Sequence, residues 1–198
     1  MKLRFTALAT TLFALVACGA QGGSTISYSE YRAKLLASEP ATWARAQLVY
    51  VEKETGKEDI RIEATFNYNE STGWVAEDEQ YQEASMYFMT AKEYGSELPE
   101  QEQTPTVPEG ASVVINYYAD LSMYSKVSMT QSREGITMTM EMEGKYEFAQ
   151  GAWMTHYYYS MSYTYSGITP EMEEATGMKN GTTTESAEVT INYYSSNN

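Results

Sequence analysis

The chain has 198 residues, with 13 lysines and arginines against 27 aspartates and glutamates, and a formal net charge of −14 at pH 7. So acidic a protein is repelled by phosphate backbones, which excludes nucleic acid as a partner. The single cysteine excludes an intramolecular disulfide. Eighteen tyrosines and twelve methionines are well above ordinary use. Tyrosine favours strands and joins an apolar ring to a polar tip, so the composition indicates a β-rich protein held together by packing alone.

The first residues have the pattern of an export signal. Lys2 and Arg4 precede an apolar run, Phe5 to Val16, which is shorter than the roughly 20 residues that span a bilayer. Such a pattern is typical of a secretory signal peptide and is excluded from fold reasoning. An ordinary signal of this kind could be cleaved nearby, for example after Ala20.

The run ends in Leu15-Val16-Ala17-Cys18, which resembles the lipobox of bacterial lipoproteins. In that family, signal peptidase cuts before the cysteine, which carries a diacylglycerol and further fatty acid such as palmitate. The resemblance implies a signal peptide over residues 1–17 and a membrane anchor through the lipid on Cys18. Gly19 follows the cysteine, where an aspartate signals inner-membrane retention in enterobacterial lipoproteins. We therefore expect an extracytoplasmic, lipid-anchored protein of the outer membrane or cell surface.

The mature chain begins with small polar residues. We predict a flexible tether over residues 18–26 and a single β-rich domain over residues 27–198. Ser27 and Glu30 have the spacing of a capping box, which predicts a helix from Tyr28 to about Ser38, before Pro40.

Alternating or β-branched residues predict about eight strands after that helix. The expected strands cover residues 43–52, 60–68, a segment from 74, 111–118, 123–132, 136–148, 153–165 and 189–194. Residues 77–94 are ambiguous, although their charge asymmetry fits a helix. We expect an acidic loop over 95–110, and a loop over 167–185 with one helical turn at 170–175.

The two halves of the domain share an order of elements. The hexapeptide from Val113 to Tyr118 is similar to that from Val189 to Tyr194, which favours an internal duplication of residues 43–118 as 122–194. Chance similarity in a tyrosine-rich chain is the alternative.

The predicted fold is mostly β: one antiparallel curved sheet or half-barrel with one N-terminal helix and short helical excursions. This order of elements resembles the LolA/LppX-type half-barrel lipoproteins. That likeness implies a sheet wrapped around helices, with a cavity for lipid or acyl chains. It rests on element order, so no functional residue is carried over. The family lines its cavity with aliphatic residues, whereas tyrosine and methionine dominate here, so a lipocalin-like barrel or a sandwich is the alternative.

One predicted strand places three thioethers in a row, Met138, Met140 and Met142, about 7 Å apart. The row could be core, because methionine fills irregular gaps, or the wall of a ligand cavity. A third possibility is a Cu(I) site, since soft sulfur suits that ion and His156 could add a nitrogen.

The next strand has an aromatic face that includes Trp153, Tyr157, Tyr159 and Tyr163. These rings could be core, or a platform on which sugars stack. His156 is the only histidine, and neither Gly-x-Ser-x-Gly nor His-x-x-x-His occurs, so we expect no enzyme, no cofactor and no resident metal.

The function that these features favour is non-catalytic binding of an apolar or amphiphilic ligand, such as a lipid, in a sheet-lined cavity. The candidate ligand-binding residues are Met138, Met140, Met142, Trp153, Tyr157, Tyr159 and Tyr163. A glycan-binding or cell-surface interaction protein that uses exposed tyrosines is the alternative, followed by Cu(I) binding.

Overall fold

A computed structural model describes residues 24–103 and 107–195. The predicted signal peptide, Cys18 and most of the predicted tether lie outside the described residues. The last two residues of that tether, Thr25 and Ile26, pair with Tyr118 and Tyr117 as a short edge strand.

The fold is a single open antiparallel sheet of nine strands, which confirms the predicted fold class. Its strands are β1 (Thr25–Ile26), β2 (Arg45–Glu54), β3 (Ile60–Asn69), β4 (Gly73–Ala76), β5 (Ala111–Tyr118), β6 (Met123–Arg133), β7 (Ile136–Ala149), β8 (Trp153–Ser166) and β9 (Gly181–Tyr194). Their order across the sheet is β1-β5-β6-β7-β8-β9-β2-β3-β4. The longest strands, β7, β8 and β9, therefore lie side by side at the centre of the sheet.

Tight turns join β6 to β7 and β7 to β8. Glu134 and Gly135, between β6 and β7, both have positive φ angles, of 53° and 85°. Two consecutive residues in this conformation are typical of the two-residue hairpin turn whose twist matches that of its strands. A three-residue turn joins β7 to β8, and its residues Gln150, Gly151 and Ala152 all have positive φ angles, of 44°, 73° and 62°.

Four short helical segments accompany the sheet in the described residues. They are α1 (Tyr28–Ala37), a 3₁₀ helix (Glu79–Tyr87), α2 (Ala91–Glu97) and α3 (Pro170–Thr176). The predicted start of α1 is confirmed, because the Ser27 hydroxyl accepts the backbone N–H of Glu30. That bond satisfies one of the free N–H groups at the helix start.

The helical region after β4 differs from the expectation of one helix over residues 77–94. The helical conformation is interrupted at Met89, whose carbonyl oxygen accepts the backbone N–H of Met154 on β8. Thr90 then starts a new helix through a full capping box with Glu93. Because α2 continues to Glu97, the predicted acidic loop over 95–110 is wrong for its first three residues.

The last strand is longer than expected. β9 starts at Gly181 rather than Val189, so the predicted loop over 167–185 is too long. Its first half is rich in threonine and serine, and these residues alternate poorly in hydrophobicity. They are in strand conformation because β8 pairs with all of them from Gly181 and β2 pairs with those from Glu185 onward.

The predicted internal duplication stays a prediction. Both halves contain three strands, a helical excursion and a fourth strand. In the second half β9 pairs directly with β8, whereas β4 and β5 lie near opposite edges of the sheet.

Two hydrophobic clusters lie where the helices cover one face of the sheet. The first joins α1 and α2 to strands β5 to β8: Tyr28, Tyr31, Leu35, Ala91, Tyr94, Leu98, Ile115, Tyr117, Met123, Phe148 and Met154. The second joins the 3₁₀ helix to the other half of the sheet: Ala46, Leu48, Tyr50, Ala64, Phe66, Trp74, Ala76, Ala84, Phe88, Val189, Ile191 and Tyr193. Tyr157 on β8 packs against both clusters, so it connects them.

The two α-helices of the first cluster are held close together by a glycine. A Cβ atom added at Gly95 in α2 would lie 2.7 Å from the Cβ of Leu35 in α1. Leu35 is fully buried, so it has no room to move. Glycine at position 95 is therefore required by packing, although glycine is a poor helix former.

We predict that Gly95→Ala destabilises the protein by about 1–2 kcal/mol, because overpacking outweighs the better helix propensity of alanine. Urea unfolding measures the free energy difference. Ser96→Ala, at the next and exposed position of the same helix, is the control and should change stability far less. A Gly95→Ala variant more stable than the wild type would contradict this packing.

Candidate ligand-binding face

The long strands carry an apolar face beyond the two helix-covered clusters. Residues that are directly opposite in antiparallel strands share a face, so the strand register identifies its members. They are Val127, Met129, Met138, Met140, Met142, Tyr159, Met161, Tyr163 and Tyr165. We call this set the methionine–tyrosine face. All nine side chains are half-buried, and none belongs to either core cluster.

The residues of the methionine–tyrosine face form regular cross-strand rows. Met140 on β7 lies between Met129 on β6 and Tyr163 on β8. In the next row, Met142 lies between Val127 and Met161. Each row therefore places an unbranched thioether next to another thioether or a ring, so the side chains shield one another without a covering layer.

Hydrogen bonds to sulfur organise one corner of the methionine–tyrosine face. The hydroxyls of Tyr159 and Tyr163 both donate to the Sδ atom of Met161, at 3.5 and 3.0 Å. Burial, followed by the nearby Glu185 carboxylate, raises the pKa of Tyr159. Both hydroxyls therefore have their polar tips satisfied within an apolar surface.

The structure brings five of the seven predicted ligand-binding residues together on this face. The five predicted residues on the methionine–tyrosine face are Met138, Met140, Met142, Tyr159 and Tyr163. The other two predicted residues lie in core packing instead. Tyr157 joins the two clusters, and the Trp153 ring lies 5.8 Å from that of Trp74, with its indole N–H donating to the Ala41 carbonyl.

A β-bulge explains why the predicted face of β8 is wrong at its start. The register shifts between Glu147 and Phe148 of β7, so Met154 lies opposite Phe148 in the first cluster. Simple alternation placed Met154 on the face of His156, away from Tyr157. The extra residue breaks that alternation, and nothing in the local sequence marks its position.

Four members of the methionine–tyrosine face are missing from the predicted set: Val127, Met129, Met161 and Tyr165. Met161 and Tyr165 alternate with Tyr159 and Tyr163, so the period of β8 places them on the same face. Val127 and Met129 come from β6, and only the pairing of β6 with β7 shows that they face Met142 and Met140. The signal available was a period-2 pattern in a segment predicted to be a strand.

A row of tyrosine rings lies at the end of the methionine–tyrosine face that is nearest the helices. The centroids of successive rings in this row are 5.2 to 6.5 Å apart. From α2 across the sheet, the row is Tyr94, Tyr146, Tyr157, Tyr87 and Tyr50. Because Tyr94 lies on α2 and Tyr87 on the 3₁₀ helix, the row joins both helices to the strands.

The opposite face of the long strands is polar. Thr130 and Thr139 are hydrogen-bonded across β6 and β7 at 3.2 Å, and Thr164 and Thr182 across β8 and β9 at 2.8 Å. The Lys126 ammonium lies 3.0 Å from Glu141. Cross-strand polar pairs of this kind stabilise a solvent-facing sheet surface.

His156 lies on the polar face. Its Nε2 atom is 2.9 Å from the Glu188 carboxylate, and its Nδ1 atom is 3.8 Å from that of Glu147. His156 lines a shallow depression of about 410 Å³ together with Glu147 and Gln150. Because the methionines are on the other side of the sheet, the suggestion that His156 could join them in a metal site is wrong.

Neither a membrane-spanning helix nor a metal-binding cluster of His, Cys, Asp or Glu occurs in the described part of the chain. Over residues 24–103 and 107–195, no helix is long and apolar enough to cross a membrane. In the same residues, no three His, Cys, Asp or Glu side chains are arranged to hold a metal ion. Comparison with protein-family models, curated proteins and solved structures finds no match to this chain.

Tyrosines of this row make the free energy of unfolding fall at alkaline pH. Burial raises the pKa of Tyr87 from 10.0 to about 12, with smaller contributions from Tyr157 and Glu52. The unfolded chain loses this proton near pH 10, before the folded protein does. The stabilisation is therefore complete below pH 10 and falls as the pH rises from 10 to 12.

We predict that Tyr87→Phe reduces the loss of unfolding free energy between pH 10 and 12, measured by urea unfolding at each pH. Tyr68→Phe, which alters an exposed ring, is the control and should leave the wild-type pH profile unchanged. Identical profiles for Tyr87→Phe and the wild type would show that the Tyr87 hydroxyl is not held neutral by the fold.

Proposed function

We propose that this chain is a bacterial lipoprotein, anchored through Cys18 outside the cytoplasm, whose domain binds an apolar or amphiphilic ligand without catalysis. The methionine–tyrosine face is the proposed binding surface. The observation that carries the proposal is a continuous apolar surface that the helices leave half-exposed, beside a core that they cover.

The area of this face supports an acyl chain as the ligand. It extends over three strands and at least four cross-strand rows, from Tyr165 opposite Met138 to Tyr159 opposite Gly144. An acyl chain that covers this face would gain about 25 cal/mol of favourable free energy per Å² of apolar surface buried. Methionine side chains are flexible and unbranched, so they adapt to chains of varied shape.

The chemistry of the face supports binding over catalysis. Its nine members, which are methionine, tyrosine and one valine, include no carboxylate, imidazole or thiol. The charged groups of the long strands lie mainly on the polar face, where they pair with one another, as Lys126 does with Glu141 and Glu143. The alternative of glycan binding uses the same half-exposed rings, and oligosaccharide binding is therefore one outcome of the test below.

The anchor part of the proposal rests on the residues around Cys18. Cleavage before Cys18 leaves residues 18 to 24 as the connection between the lipid and β1, the first strand of the sheet. Two or three acyl chains on one cysteine give a lasting anchor, at about 0.8 kcal/mol per buried CH₂.

We predict that the protein made in its own host carries lipid on Cys18 and sediments with membranes. Cys18→Ser removes the acceptor thiol, so it should abolish incorporation of labelled palmitate and membrane retention. Mass spectrometry of the mature N-terminal peptide identifies the cleavage site. An unmodified thiol, or cleavage after Ala20, would contradict the anchor and leave the ligand proposal standing.

We predict that the soluble form from Ser24 onward, purified without detergent, retains or binds single-chain lipid. Native mass spectrometry detects a retained lipid, and titration with lysophosphatidylcholine below its micelle concentration measures the affinity. Met140→Glu should weaken binding at least tenfold, because a carboxylate is costly to bury against an acyl chain.

Thr139→Glu is the matched control. It adds the same charge at the adjacent residue of β7, but on the polar face, where Thr139 bonds to Thr130. It should bind lipid like the wild type. A ligand-free protein that binds oligosaccharides instead, or equal losses in both variants, would overturn lipid binding at this face.

A further inference from the structure

Five methionines lie next to one another on the methionine–tyrosine face. They are Met129, Met138, Met140, Met142 and Met161. Methionine commonly fills gaps inside a core, and a core role would require these side chains to be buried. All five are instead half-buried and outside the core clusters. The role of methionine inside a core therefore does not account for this accumulation of accessible sulfur.

The strand register brings the thioethers closer than the sequence spacing indicates. Met138, Met140 and Met142 are two residues apart along β7, about 7 Å between neighbours. Met129 lies directly opposite Met140, where Cβ atoms of paired residues are only about 4.5–5.5 Å apart. Each methionine side chain extends beyond its Cβ atom by a flexible thioether. The sulfur atoms of Met129, Met140 and Met142 can therefore converge above β6 and β7.

The hydrogen bonds distinguish the available sulfur atoms from the occupied one. Met161 accepts two tyrosine hydroxyls at its Sδ atom, which engages both of its lone pairs. Met129 accepts one distant amide N–H, from Gln131 at 3.7 Å. Within the described residues, the Sδ atoms of Met140 and Met142 accept no hydrogen bond.

Neutral thioethers select a particular kind of ion. Soft sulfur ligands favour Cu(I), whereas Zn²⁺ and Cu(II) favour sites that include imidazole, thiolate or carboxylate. The only histidine, His156, is on the polar face. We propose that Met129, Met140 and Met142 bind one Cu(I) ion through their three sulfur atoms, independently of whether the face also binds an acyl chain.

Neighbouring groups favour a cation at this position. Tyr163 lies opposite Met140, and an aromatic ring attracts a cation electrostatically. Glu185 lies opposite Met161, and Glu54 lies opposite Glu185, so two carboxylates share this side of the sheet. The chain as a whole carries a net charge of −14.

The test is an anaerobic titration of the full chain in nanodiscs with Cu(I), in competition with bicinchoninate. The wild type should remove one equivalent of Cu(I) from the chelator. The variant Met129→Leu, Met140→Leu, Met142→Leu preserves size and hydrophobicity and should bind Cu(I) at least tenfold more weakly. Met86→Leu with Met178→Leu is the matched control, because both side chains are exposed and away from the face, and it should bind like the wild type.

A second measurement identifies the ligands directly. Titration with Ag(I), a diamagnetic ion of similar softness, should shift the methyl NMR signals of Met129, Met140 and Met142. If the triple variant does not fold by circular dichroism, Met140→Leu alone should weaken binding at least tenfold. Failure of the wild type to compete with the chelator, or equal Cu(I) affinity in the triple variant and the control, would overturn the proposal.

Discussion

The structure depends on a mismatch between the length of its strands and that of its helices. β7, β8 and β9 each contain 14 residues, which corresponds to about 48 Å of extended chain. The longest helix, α1, contains 10 residues and is about 15 Å long. Helices of this size cover only part of one sheet face. The rest of that face must be stabilised by the side chains of the strands themselves.

The uncovered part of the sheet meets this requirement differently on its two sides. The polar side uses cross-strand pairs, such as Thr164 with Thr182. The apolar side uses long side chains that lie over one another, such as Met140 beside Tyr163. Because Met161 accepts the hydroxyls of two tyrosines, even the polar tips of those rings are satisfied without water. The result is an ordered apolar surface rather than a loose one.

The two ligands that we propose for the methionine–tyrosine face share one physical cause. A thioether is apolar, so it favours contact with an acyl chain, and its sulfur is a soft donor, so it favours Cu(I). Leucine in the same rows would provide the first property and not the second. Replacement of Met129, Met140 and Met142 by leucine therefore separates the two ligands, because it keeps the apolar contact and removes the sulfur donors.

The sequence alone determined most of the local structure. A capping residue or an unbroken period-2 pattern involves only neighbouring residues, so the start of α1 at Tyr28 and strands such as Ala111–Tyr118 were predicted correctly. The alternation of β7 likewise placed Met138, Met140 and Met142 on one face. The gap between the predicted strands 123–132 and 136–148 contains Gly135, whose positive φ angle few other residues tolerate.

Contacts between distant segments decided the rest. The break at Met89 depends on a bond to Met154, and the length of β9 depends on its two neighbouring strands. The bulge opposite Phe148 turned Met154 into the core, and strand order brought Met129 of β6 to Met140. Whether the methionine row is core or surface also depended on helix length against strand length. The helices and the strands come from different segments of the chain. How much of the sheet the helices cover is therefore decided only when they pack on it.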